Sequence, residues 1–280
     1  MVIVKIWGGI GNQLFQYVFG QYLRYRFQLD VRYDDNSFLS TDKLRKRELD
    51  AIDSVITWDN HCSFSKYRGI KGRLLRYCYQ LLPKHHYIGI DEIIPKRLYD
   101  NDEYFFQAYW QDYKYYKWLI DNVPSFKVKS KNFPKELSEI KTMIESCHQS
   151  ASIHIRRGDY FSPKNVSVYG VCTEDYYHKA IGLIKNKESK VRFFVFTDDI
   201  EWTKKHIHFD KKTIIVPNYE VSQFAYIELM SLCNHHIISN SSFSWWGTVL
   251  NEKEGALVVS PKKWKLTSDE TIALEKWIKI

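Results

Sequence analysis

The chain opens on an apolar, β-branched run, VIVKIW at residues 2–7, whose pattern predicts a buried strand. GGIG follows at once, and then NQLFQYVFGQYLRYRF, in which Leu14, Tyr17, Val18, Gln21, Tyr22 and Tyr25 recur at helical spacing. Strand, glycine-rich turn and helix make a β-α opening, and VRY at 31–33 reads as the second strand. The second half keeps this rhythm. SIHI is a strand, TEDYYHKAIGLIKNK a helix, and VRFFVFTDD a strand ending in acids. TIIVP follows as a strand, AYIELMSLCNH as a helix and HIISN as a strand. SSFSWWGTVLNE turns into a helix, ALVVSP is a strand and SDETIALEKWIKI reads as a final helix. Such alternation predicts α/β architecture with a parallel, doubly wound sheet.

Between the halves the pattern changes. SKYRGIKGRLLRYCYQLLP places Lys66, Arg68, Lys71, Arg73 and Arg76 among Leu74, Leu75, Leu81 and Leu82. It reads either as a solvated helix with one core-facing stripe or as a membrane-surface helix. Residues 103–120, EYFFQAYWQDYKYYKWLI, are dense in aromatics, and KVKSKNFPKEL at 127–137 looks like a linker, with a boundary near 130–150.

Composition narrows the class. The chain has 280 residues, 44% hydrophobic and 26% charged, which is globular and long enough for two modest domains. Lysine and arginine exceed aspartate and glutamate by 41 to 33, and a net +8 suits an anionic partner such as a nucleotide sugar, an acidic membrane surface or nucleic acid. Cys62, Cys78, Cys147, Cys172 and Cys233 are odd in number and widely spaced, which predicts reduced thiols in a cytoplasmic protein without a zinc site. MVIVKIWGG lacks the features of a secretory signal, and no stretch approaches the ~18 apolar residues of a spanning helix. The sequons at Asn165 and Asn240 carry no glycan expectation in a cytosolic chain.

Four segments fall where β-α units turn: GGIGNQ (8–13), HIRRGDY (154–160), FTDD (196–199) and SNSSFSWWG (239–247). Open α/β sheets bind ligands at the carboxyl ends of their strands. Gly9 and Gly11 let backbone N–H groups approach a phosphate, and Asn12 and Gln13 offer amides for hydroxyls; Leu14 interrupts a full GxGxxG. Arg156 and Arg157 present planar donor forks matched to phosphate oxygens, and Asp159 would orient a guanidinium or take a proton. Ser241 and Ser242 at a helix start suit a diphosphate, or else simply cap the helix, while Trp245 and Trp246 read as core. Asp198 and Asp199, and Asp100 and Asp102 in DND, are acidic pairs of the kind that bind divalent cations, although such pairs are common in loops. The histidine pairs 85–86 and 235–236 are assigned no metal.

Taken together, GGIGNQLFQY, QAYWQDYKYY, HIRRGDY and SNSSFSWWG resemble glycosyltransferase family 11, the α-1,2-fucosyltransferases. The resemblance implies a GT-B-like fold of two Rossmann-like domains facing a cleft. Residues 1–140 would be the acceptor-side domain, 141–265 the GDP-fucose-binding domain, and 266–280 a helix packing back toward the first. It implies GDP-β-L-fucose as donor, inversion, no metal and no other cofactor, and a galactose-terminated oligosaccharide or lipid-linked glycan as acceptor. Nucleic acid is not expected as a partner, whereas peripheral contact with the inner membrane face is. Arg156 would hold the β-phosphate of the leaving GDP, with Asp159 as its catalytic companion. Gly9, Gly11, Asn12, His154, Arg157, Asp198, Ser241, Ser242 and Phe243 would complete the donor site. Two positions depart from the family pattern. Ala108 stands where glycine is expected, and Tyr226 where an aspartate often lies, with Glu228 the nearest acid. The general base stays open among Asp35, Asp159, Glu174 and Asp175. Competing readings are a metal-dependent glycosyltransferase of another sugar, a nucleotide- or lipopolysaccharide-binding protein without turnover, and a nicotinamide oxidoreductase.

Overall fold

A computed structural model describes the chain apart from residues 41, 43, 60–62, 68, 90–93, 96 and 159–162, and gives only the backbone of 40, 63 and 163–165. Cys62, Arg68 and Asp159, singled out above, lie outside the described residues. The chain divides into two compact units, Met1–Lys131 and Asn132–Ile280, and the division falls within the lysine-rich 127–137 stretch.

In the first unit the elements are β1 (Val2–Lys5), α1 (Ile10–Phe27), β2 (Val31–Asp34), α2 (Asn36–Ser40), α3 (Gly69–Leu81), β3 (His85–Ile88), β4 (Glu103–Phe106) and α4 (Tyr113–Asn122). The four strands form a parallel sheet in the order β2-β1-β4-β3. The aromatic-rich stretch is explained by this sheet, because a parallel sheet is covered on both faces and its strands read as continuous apolar runs. Phe106 meets Phe19 of α1 at 5.3 Å between ring centroids, and the next residue inward, Phe105, meets Phe64 on the opposite face at 4.6 Å. β3 and β4 escape the sequence reading because four-residue strands without alternation leave no period.

α3 keeps a narrow core-facing stripe, as expected of a solvated helix: Leu75, partly buried, packs with Tyr79 against Ile3, Phe64 and Phe105, and a second apolar stripe stays outside. Tyr79 is the helix's one buried residue, while Ile70, Leu74, Tyr77 and Leu81 face solvent. Tyr79 fastens the helix, packing on Phe64 and donating its hydroxyl to Glu103 at 2.9 Å.

Gly20 of α1 lies over Tyr33 of β2. A β-carbon there would stand 2.5 Å from the Tyr33 hydroxyl, which is buried, donates to the Tyr17 carbonyl and accepts from Gln21. Gly20→Ala gains about 1 kcal/mol of helix propensity, and overpacking costs about 1–3 kcal/mol. The clash with a hydrogen-bonded ring cannot relax cheaply, so urea unfolding is expected to show net destabilisation. A stabilised variant would show that Tyr33 swings aside.

The second unit contains α5 (Ser138–Glu145), β5 (Ser150–Ile155), α6 (Pro163–Tyr169), α7 (Glu174–Lys187), β6 (Arg192–Thr197), α8 (Ile200–His206), β7 (Ile214–Ile215), α9 (Gln223–Ser231), β8 (His235–Ile237), α10 (Ser242–Val249), β9 (Val258–Ser260) and β10 (Ile278–Lys279). Its sheet is parallel throughout, in the order β10-β9-β8-β5-β6-β7. β5 is central and buried along its whole length. Trp245 and Trp246 are fully buried, as core.

The final helix expected over 266–280 does not form. Ile278 and Lys279 instead pair with Val259 and Ser260 along the free edge of β9. The Lys262 amide donates to the Ile280 carbonyl at 2.8 Å, and the Ile280 amide to the Ser260 carbonyl at 3.1 Å. Ile278 and Ile280 pack against the core of this unit and Trp277 is buried. The helical spacing of apolar residues yields here to an unpaired sheet edge, which offers backbone partners as well as burial.

Candidate active site

The neighbouring order β8-β5-β6 brings three of the four predicted turns to one edge. Their strands run parallel, so the chain leaves each at the same carboxyl end. HIRRGDY follows β5, FTDD ends β6 and SNSSFSWWG follows β8.

Asp198 organises the turn after β5. One carboxylate oxygen lies 2.8 Å from Arg156 Nη1, and the other accepts the Arg157 backbone N–H at 2.8 Å. Gly158 lets this approach happen, because a β-carbon there would stand 2.8 Å from Asp198 Oδ2. Among the described residues Asp198 takes an orienting role toward Arg156, and Asp159 lies outside them. A glycine directly after two charged residues was the one signal in the sequence that a side chain must come close.

The two arginines differ in surroundings. Arg157 Nε reaches Asp199 Oδ2 at 3.3 Å, and its guanidinium stacks on the Trp202 ring at 3.5 Å, a contact worth about 0.5–2 kcal/mol. Asp199 also caps α8, accepting from the Trp202 amide at 3.0 Å. Arg157 is thus bound into α8, whereas Arg156 leans on Asp198 with its side chain 23% exposed.

His154, the last inward residue but one of β5, is neutral. Burial first, and then the Arg156 charge, push its pKa down to about 3. Its Nδ1 lies 2.9 Å from Ser239 Oγ, its ring faces Phe243 at 5.2 Å, and its backbone carbonyl accepts from Tyr177. Ser239 was not foreseen from the sequence, where its hydroxyl looks like one of several in the turn.

In the SNSSFSWWG turn, Asn240 donates to the carbonyls of Tyr169 at 2.8 Å and Trp264 at 3.3 Å. Ser241 caps α10 by accepting the Phe243 amide at 3.3 Å. Ser242 opens the helix and, like Phe243, is half-buried. The N-terminus of α10 directs its backbone N–H groups and partial positive charge to the edge that carries the arginines, an arrangement suited to an anion. Tyr226 is held by the Tyr219 amide and the Pro217 carbonyl, and Glu228 keeps one buried carboxylate oxygen without a hydrogen bond.

Gly9, Gly11 and Asn12 belong to the first unit, at the start of α1. Asn12 Oδ1 accepts from Gln111 at 2.8 Å. Gln13, expected to grip hydroxyls, is instead buried and clips the turn: its amide donates to the Gly8 and Lys46 carbonyls and accepts from the Glu48 amide. The glycine turn lies beside a cavity of about 380 Å³ lined by Lys5, Trp7, Asp42, Arg73, Gln107 and Tyr109, among others. Of the general-base candidates, Asp35 is ion-paired to Arg47, and Asp175 to Lys179 on α7. In DND, Asp102 faces His86 at 2.8 Å.

Comparison with known proteins places the chain in a family. The description Glycosyl transferase family 11 matches residues 80–280. Two Escherichia coli proteins align end to end. The O-antigen biosynthesis glycosyltransferase WbnK is 30% identical over 300 residues, 98% of each chain. An alpha-1,2-colitosyltransferase is 31% identical over 299 residues, 100% of this chain and 99% of the other. Among solved structures, the fucosyltransferase NodZ from Bradyrhizobium superposes with a TM-score of 0.56 at 13% identity, over 89% of this chain and 92% of that one. The NodZ form soaked with GDP-fucose gives 0.51 at 15%, over 88% and 90%. At such identity the likeness shows the fold, which is GT-B-like α/β. With the family description covering most of its length and two full-length relatives, the chain belongs to glycosyltransferase family 11.

Proposed function

We propose that this glycosyltransferase is an inverting α-1,2-fucosyltransferase. It moves L-fucose from GDP-β-L-fucose to the 2-hydroxyl of a galactoside in an O-antigen or capsule repeat, or in a free oligosaccharide. The observation that carries the reading is Arg156, set by Asp198 at the carboxyl edge of β5 beside the N-terminus of α10. The acceptor hydroxyl attacks the anomeric carbon from the face opposite GDP, through an oxocarbenium-like state. As the bond to GDP breaks, negative charge grows on the β-phosphate. A guanidinium already aimed there stabilises that charge more than it stabilises the bound donor. The α10 backbone N–H groups, Ser241 and Ser242 would meet the same diphosphate, with neutral His154 and Phe243 closing the wall behind them. The nucleophile's proton can leave late on such a path, so a strong general base is not demanded. The family resemblance implies no metal requirement.

A second reading is colitose as the transferred sugar, favoured by the full-length alpha-1,2-colitosyltransferase relative. Colitose is the 3-deoxy counterpart of L-fucose, so one hydroxyl separates the donors. The test is transfer from GDP-fucose and GDP-colitose to lactose and a panel of β-galactosides, with linkage analysis and an EDTA-treated control. An α-1,2-fucosylated product that survives EDTA is expected. Turnover confined to GDP-colitose selects the second reading. Failure with both donors, or recovery only with Mn²⁺, ends the proposal.

A further inference from the structure

α3 exposes what helices normally hide. Ile70, Leu74, Tyr77 and Leu81 recur at spacings of four, three and four, so they stack in one stripe along the helix. With Leu82 just beyond, these side chains are 51–79% exposed. A contiguous apolar stripe open to water marks a contact surface. Its surroundings carry one sign of charge: residues 63–84 hold six lysines and arginines and no aspartate or glutamate. Lys71 flanks the stripe, its ammonium 3.9 Å above the Tyr67 ring, and Arg73, also exposed, flanks the other side.

We propose that α3 docks this chain on an anionic lipid surface. An amphipathic helix with apolar residues on one face and lysine and arginine beside them lies in the membrane interface, where apolar burial and attraction to acidic headgroups add. A second copy of the chain is the poorer occupant, because a symmetric contact would oppose two all-basic faces. Among the described residues no helix is long and apolar enough to cross a membrane, so the contact is peripheral. The same helix lines the 380 Å³ cavity with Gly69, Gly72, Arg73 and Arg76. Docking by the stripe therefore sets that cavity within about one helix diameter, ~10 Å, of the headgroups, in reach of a saccharide carried on a lipid.

The test is co-flotation of the full-length protein with vesicles, and it does not depend on which sugar is transferred. Binding to phosphatidylglycerol-containing vesicles at low salt is expected, falling at least tenfold in raised salt and on pure phosphatidylcholine. Leu74→Gln/Leu81→Gln is expected to abolish it. Lys66→Glu/Lys71→Glu should weaken it by on the order of fivefold per charge removed. Leu74, Leu81 and Lys71 are exposed and Lys66 is half-buried, and unchanged circular dichroism checks the fold. Absence of binding to phosphatidylglycerol vesicles, or equal binding to phosphatidylcholine, overturns the proposal. So does a concentration-dependent dimer in sedimentation velocity that Leu74→Gln/Leu81→Gln dissociates.

Discussion

Arg156→Ala is expected to lose about 10²–10³ in kcat, the usual cost of removing one pre-positioned donor from a charge that develops in the transition state. The donor KM should change far less, because in the proposed complex the α10 N-terminus and the serines would still meet the diphosphate in the ground state. The fold should survive, since the Arg156 side chain is partly solvated and its partner Asp198 keeps the Arg157 amide. Asp198→Asn separates positioning from contact. The amide oxygen still accepts from Arg157, but the charge that holds Arg156 is gone, so a smaller kcat loss, about tenfold to a hundredfold, is expected. Arg157→Ala should act mainly on stability, because its guanidinium is stacked on Trp202 and joined to Asp199. Steady-state kinetics of the three variants, with urea unfolding of each, checks the ordering. Near wild-type kcat in Arg156→Ala would remove Arg156 from the reaction.

The ordering was only partly legible in the sequence. The alternation of strands and helices and the glycine-rich opening are local signals, and they become β1, α1, β5 and β6 as expected. The shared edge of HIRRGDY, FTDD and SNSSFSWWG also follows from each turn succeeding a strand. What could not be read is which acid would meet which arginine. Arg156 and Asp198 are separated by α6, α7 and β6, and the pairing of β5 with β6 brings them together. Asp159, nearer in sequence, lies outside the described residues. The C-terminal segment was misread for a related reason: helical spacing is local, whereas the open edge of β9 is a property of the finished sheet. For α3 the period gives the core-facing pair Leu75 and Tyr79, but periodicity does not say that a second stripe of Ile70, Leu74, Tyr77 and Leu81 stays open to water.

Acidification from pH 7 to pH 5 is expected to remove about 3 kcal/mol of stability. His154 and His236 sit buried in adjacent strands, and burial, with smaller pushes from Arg156 on the first and from His235 and Lys253 on the second, lowers each to about 3. Each imidazole makes a neutral hydrogen bond, His154 to Ser239 and His236 to Ser152 at 2.8 Å. In the unfolded chain a histidine takes up its proton near pH 6.5, so below that value the unfolded state binds more protons and stability falls with pH. By pH 5 the deficit is about 2 kcal/mol per histidine. Asp34 opposes it. Burial raises this carboxyl to about 6, against hydrogen bonds from Ser65 and Asn36 that lower it, and one oxygen has no partner. The folded state therefore gains a proton first as pH falls through 6, which returns about 1 kcal/mol by pH 5. The histidines win because there are two of them and their shift is larger. Urea unfolding at pH 7, 6 and 5 reads the net slope. His236→Asn should remove roughly half of the histidine contribution, and Asp34→Asn should steepen the fall by raising stability at pH 7 more than at pH 5. A wild-type curve flat across this range would mean that His154 and His236 are solvated or protonated in the folded protein, and the neutral wall behind Arg156 would have to be abandoned.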